Sequence, residues 1–112
     1  MYEFKRIEAI NNTFESWGEE YDDFGISIEV AVGPEGERRE EFFTFSVTSP
    51  KRLECLLQRN SVELGRGLII MRDYNYEIVK TKIVALINSL NGENWNELSM
   101  KIAKYARWEY DD

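Results

Sequence analysis

Residues 24–32 read FGISIEVAV, and residues 42–48 read FFTFSVT. In the first stretch Phe24, Ile26, Ile28, Val30 and Val32 alternate with Gly25, Ser27, Glu29 and Ala31. Successive side chains of a strand point to opposite faces, so this alternation predicts a strand with one buried face. Phe43, Phe45 and Val47 repeat the pattern in the second stretch. GPEGERREE lies between them, with Pro34 and Gly36 as turn punctuation. The two runs predict an antiparallel hairpin.

Upstream, YEFKRIEAI at 2–10 alternates loosely and reads as a first strand. NNTFESWGEEYDD at 11–23 has no clean period and reads as a loop, tethered by Phe14, Trp17 and Tyr21. At about a dozen residues it is long for a compact domain, and such loops are disproportionately functional. Downstream, Ser49 and Pro50 have the chemistry of a helix cap and first helical residue. Leu53, Leu56 and Leu57 form the expected buried stripe of that helix. GRGLIIMRDY predicts a short strand buried on both faces. Val79, Ile83, Leu86, Ile87 and Leu90 recur at helical spacing, ended by Asn91-Gly92. NWNELSMKIAKYARW predicts a last helix capped by Asn94, with Glu97 three residues on and Trp95, Leu98, Ile102 and Tyr105 on one face. Lys101, Lys104 and Arg107 suit the C-terminal half of such a helix. The expected architecture is α+β: a mostly antiparallel sheet of four strands with three helices packed on one face.

The chain has 112 residues, 43% hydrophobic and 13% aromatic, which predicts one domain over 1–112 with its own core. No apolar run approaches the roughly 20 residues needed to cross a bilayer. The charge-mixed N-terminus does not read as a signal peptide. Cys55 is the only cysteine, so no internal disulfide can form, and a lone thiol suits a cytoplasmic setting. Cys55 itself reads as a buried or half-buried packing residue. Histidine is absent. That removes the commonest general base and any Ser-His or Cys-His pair. No phosphate loop, dinucleotide fingerprint or metal-ligand spacing is present, so no catalytic residue, cofactor or metal is assigned. A carboxylate-dependent enzyme is the least favoured class.

The net charge is −7 and is unevenly spread. Glu15, Glu19, Glu20, Asp22 and Asp23 lie in one segment, and Glu109, Asp111 and Asp112 end the chain. Without these acids the remainder sums to +1. Such a chain is repelled by nucleic acid and anionic membranes and attracted to basic proteins. The ending ARWEYDD, residues 106–112, interleaves Trp108 and Tyr110 with acids. Those aromatics are expected to anchor the end of the last helix and fix the acids around them. Of the tryptophans, Trp95 and Trp108 read as core residues, and Trp17 is open between core and interface.

Three stretches together carry a resemblance: EEFFTFSVTSPKRL, GRGLIIMRDYNYEIV and NGENWNELSMKIAKYARWEYDD. Ser49-Pro50-Lys51, Gly65-Arg66, Asp73-Tyr74, Gly92 with Trp95, and Trp108-Glu109-Tyr110-Asp111 fall where the immunity protein 8 family of bacterial polymorphic toxin and contact-dependent inhibition systems has its features. The resemblance covers residues 20–112. It implies a cytoplasmic, non-enzymatic antidote that binds the C-terminal domain of a cognate toxin, commonly a nuclease with a basic surface. Candidate partner-binding residues are Trp17, Glu19, Glu20, Tyr21, Asp22 and Asp23 in the loop and Glu109, Asp111 and Asp112 in the tail. The loop ranks ahead of the tail, since the tail belongs to the shared pattern while cognate specificity varies. The alternative is a protein-interaction or regulatory module unrelated to toxins.

Overall fold

The computed structural model describes residues 5–62 and 65–110, with side chains from Ile7 onward. Strands β1 (Lys5–Trp17), β2 (Phe24–Pro34) and β3 (Glu41–Thr48) form an antiparallel meander. Helix α1 (Pro50–Asn60) leads to β4 (Leu68–Ile70), which lies parallel to β3 along Ser46–Thr48. Helices α2 (Tyr76–Ser89) and α3 (Trp95–Ile102) follow. The chain then returns as β5 (Arg107–Trp108), antiparallel to Phe43 and Thr44. The fold is α+β, with a five-stranded, mostly antiparallel sheet and three helices. The fifth strand is β5, which shares the outer edge of β3 with β4.

Residues paired across an antiparallel ladder share a face. The alternating residues of β2, from Phe24 to Val32, therefore join Phe43, Phe45 and Val47 on one face, where all are buried. α2 packs there through Val79, Ile83 and Ile87, and α3 through Trp95, Leu98 and Ile102. Each such side chain contributes roughly 1.5–3 kcal/mol by leaving water. The opposite face carries Ser27, Glu29, Thr44 and Ser46. At one end of that face, Arg52, Leu53 and Leu56 of α1 border a groove floored by Ser16, Gly25, Ser27 and Ser46.

The helix starts follow the cap chemistry. Ser49 Oγ accepts from the Arg52 backbone N–H at 3.1 Å and also from Phe24 N–H at 3.1 Å, so one hydroxyl starts α1 and ties it to β2. Asn94 Oδ1 accepts from Glu97 N–H at 2.8 Å. Just before it, a Cβ on Gly92 would lie 2.8 Å from the Leu98 backbone nitrogen, a gap that only glycine fits.

Several expectations need correction. The segment 11–23 is not a loop throughout: β1 runs on to Trp17, and only 18–23 turn. Register shifts between Ile7 and Ala9 and between Asn12 and Phe14 each insert an extra residue. Each shift flips the inward phase, which erases the alternation from the sequence. Phe14 and Tyr21 do not tether the segment, since both side chains are exposed. β4 is an edge strand, half-buried at Leu68 and Ile69 and exposed at Ile70, rather than covered on both faces. Leu53, Leu56 and Leu57 are half-buried, Cys55 is exposed, and Tyr105 points to solvent. The last helix stops at Ile102, because Arg107 and Trp108 gain ladder partners on β3. The predicted first strand's residues 2–4 lie outside the described residues.

Candidate protein-interaction surfaces

The turn between β1 and β2 is closed by its own backbone: Gly18 N–H donates to Asp23 C=O at 2.8 Å, and Asp23 N–H to Glu20 C=O at 3.1 Å. α1 starts directly beside it and supplies two cations. Lys51 Nζ pairs with Glu20 and lies 3.1 Å from Asp22 Oδ1. These two carboxylates raise the Lys51 pKa, chiefly by accepting its hydrogen bonds. Arg52 Nε donates to Asp23 Oδ1 at 2.6 Å, and its Nη1 donates to Ser16 Oγ at 3.2 Å. Glu20, Asp22 and Asp23 are therefore held in place by internal ion pairs. Glu19 is exposed, and Tyr21 projects with 76% of its surface in solvent.

Trp17 ends β1 at this same turn. Its ring packs on Phe24 at 5.0 Å between centroids and edge-on to Tyr74 at 6.3 Å, yet 45% of it stays exposed. Its indole N–H donates to Glu15 Oε1 at 3.1 Å, and Asn12 Nδ2 donates to Glu15 Oε2 at 2.8 Å. These hydrogen bonds, the one from Trp17 foremost, hold the Glu15 carboxyl below its ordinary pKa. Tyr74 O–H in turn donates to Asn12 Oδ1 at 3.0 Å. The end of the sheet thus presents a partly exposed aromatic patch whose polar atoms are mutually satisfied.

The tail is built at the opposite end. Trp108 stacks on Phe43 at 6.1 Å, and Tyr110 meets the Trp108 ring edge-on at 5.4 Å. Trp108 Nε1 donates to Glu41 Oε1 at 3.1 Å, and Trp95 Nε1 donates to the other oxygen of the same carboxylate. The Arg39 guanidinium lies 5.9 Å over the Trp95 ring. Glu41 is only 7% exposed, and burial raises its pKa; the Trp108 hydrogen bond and Arg39 oppose the rise, and Glu109 adds to it. Trp108 anchors the tail as expected, but as part of a strand. Tyr110 lies largely in solvent, with its pKa raised by neighbouring Glu109.

The turn acids and Glu109 do not form one cluster. The stretch Phe43–Thr48 of β3, about 17 Å of strand, separates the tail's pairing site from the turn. Asp111 and Asp112 lie outside the described residues. Sequence reasoning missed Lys51 and Arg52 as partners of the turn, because they lie about thirty residues away in the chain. It also missed Glu41, for which a signal existed: Glu41 shares the alternation phase of Phe43, Phe45 and Val47, an acid in an apolar register.

A further surface was not anticipated. A groove of about 690 Å³ runs between β4 and α2, lined by Ile69, Ile70 and Met71 on one side and Ile78, Lys82 and Ala85 on the other. Among the described residues, no three Cys, Asp or Glu side chains group to hold a metal ion, and no helix is long and apolar enough to cross a membrane.

Fold and surface together define a small α+β protein with an anchored acidic turn, a buried carboxylate that fixes its tail, and an apolar groove. The chain belongs to the Immunity protein 8 family, whose model matches residues 2–112, including residues 2–19, which the sequence resemblance left out. No curated protein and no solved structure matches it. Membership supports an immunity role against toxins and implies a toxin as protein partner; such families are generally non-enzymatic.

Proposed function

We propose that this protein, a single domain over 1–112, binds and neutralises a cognate toxin's C-terminal domain in the cytoplasm, without chemistry of its own. The family match over 2–112 carries this reading. The toxin is proposed to be a nuclease. A nuclease needs basic surface to hold phosphates, and a chain of net charge −7 complements such a surface and is steered to it.

The contact surface is proposed to centre on the turn, with Trp17, Glu19, Glu20, Tyr21, Asp22 and Asp23. Two observations favour it. Lys51 and Arg52 hold three of these carboxylates in fixed positions, which lowers the ordering cost of binding. Trp17 and Tyr21 expose aromatic surface beside them, and aromatic residues dominate binding hot spots. Glu109, Asp111 and Asp112 are proposed as a second, smaller contribution.

The test is co-expression with the C-terminal domain of a toxin gene, sought beside this one, scored by growth rescue, followed by binding measurements over a salt series. Replacing Glu19 and Glu20 with lysine is expected to weaken binding about tenfold or more and to flatten its salt dependence. Unchanged affinity and salt slope would remove the turn from the interface. Failure of the wild-type chain to rescue growth would remove the toxin.

A further inference from the structure

β4 is the outermost strand on its stretch of the sheet, and its backbone shows which way its polar groups point. Gly67 C=O accepts from Ser46 N–H at 2.7 Å, and Met71 N–H donates to Thr48 C=O at 3.1 Å. Residues 67, 69 and 71 therefore face β3. By the two-residue repeat of a strand, Leu68 and Ile70 face outward. Leu68 N–H closes a turn on Gly65 C=O at 3.2 Å. Leu68 C=O and both polar groups of Ile70 have no partner among the described residues.

Beside this open edge lies the groove against α2. Ile78, Lys82 and Ala85 recur at i, i+4 and i+7, a second stripe next to the buried one of Val79, Ile83 and Ile87. Ile70 is 54% exposed and Ile78 is 59% exposed, although both are large and apolar. An unpaired strand edge running along an apolar groove fits one kind of ligand well. An extended chain pairs its backbone with the edge and sends alternate side chains into the groove.

We infer that the β4 edge and the α2 groove take up an extended apolar segment of the toxin domain, which adds to the sheet as a sixth strand; this rests on the immunity reading above. A second copy of this chain is the poorer occupant, because two molecules of charge −7 repel. The groove also adjoins the proposed contact end: Met71 follows β4 directly, and Arg72 lies in one small depression with Asp22 and Lys51. One partner can thus meet the turn and the groove together. The edge offers only three residues, a length that limits indiscriminate pairing, so the groove must supply the selectivity.

Two variants test the inference against the purified, inactivated toxin domain used in the growth-rescue test. Ile70→Pro deletes an outward N–H and leaves the β3 ladder its donors. Ile78→Glu puts charge into the groove at an exposed helical site, and decides alone if the proline variant does not fold. Each is expected to weaken binding about 30-fold, and the Ile70 amide is expected to exchange more slowly in the wild-type complex. A complex that forms with wild-type affinity in both variants, or in Ile78→Glu alone where Ile70→Pro does not fold, and with unchanged exchange at Ile70, overturns the inference and leaves the immunity reading standing. A wild-type chain that does not bind the domain overturns both. A wild-type dimer in sedimentation that Ile78→Glu dissolves would assign the groove to a second copy.

Discussion

Two ends of one sheet use the same pair of groups, an indole N–H and a glutamate, to opposite effect. At the turn, Trp17 donates to an exposed Glu15 and lowers its pKa. At the tail, Trp95 and Trp108 donate to a buried Glu41 whose pKa burial raises. The exposed pair orients a side chain and leaves its ring accessible. The buried pair ties the start of α3 and β5 to the first residue of β3. Water makes the difference. A hydrogen bond that water can replace contributes little, whereas a buried donor left without its acceptor costs its full desolvation.

That contrast can be broken by mutation. The largest effect is expected at Glu41. Glu41→Ala leaves two indole N–H groups without their acceptor and should cost about 2–4 kcal/mol in urea denaturation. A cost no greater than that of Glu15→Ala would erase the distinction. Next comes Trp108→Phe, which keeps the stack on Phe43 but removes the donor, at about 1–2 kcal/mol; Trp17→Phe should change stability by no more than about 0.5 kcal/mol. Arg52→Ala releases Asp23 and Ser16 at a part-buried site and should cost about 1 kcal/mol. It should also raise the disorder of the turn, seen as faster amide exchange at Asp23.

The smallest effects are in pH dependence, and their signs differ. Glu15 has a lowered pKa in the fold, so its stabilisation is present above the ordinary carboxylate range and is lost as pH falls through the lowered value. Glu41 has a raised pKa, so its contribution is greatest below the ordinary carboxylate range and is lost as pH rises through the raised value. Glu15→Gln should therefore flatten the acid limb of a stability curve. Glu41→Gln should flatten the limb just above the ordinary carboxylate range. Denaturation midpoints measured between about pH 3 and 7 check both.

The legibility of the sequence divides along the same lines. β2 and β3 were plain, because an unbroken alternation and a buried face coincide. The second half of β1 was hidden by its two register shifts. β5 was hidden because Lys101, Lys104 and Arg107 continue a helical charge pattern past the point where ladder pairing takes over. Two aspects of the surface were out of reach for a different reason. Nothing local to Glu20, Asp22 and Asp23 says that Lys51 and Arg52 fold against them. Nothing local to Ile70 and Ile78 says that they face each other across a groove. The acidic segments were visible as composition, but the separation of Glu109 from the turn along β3 is a property of topology. The immunity role came from a pattern spread over the chain rather than from any single site.

In the proposed function this protein acts by occupying a toxin, one molecule to one. The decisive titration adds the chain to a fixed amount of the active toxin domain, with toxin activity as the readout. The expected result is a linear loss of activity that reaches its end at one equivalent, with the masses of both chains unchanged. Full inhibition at a small fraction of an equivalent, or a toxin that stays active in excess of this chain, would contradict it.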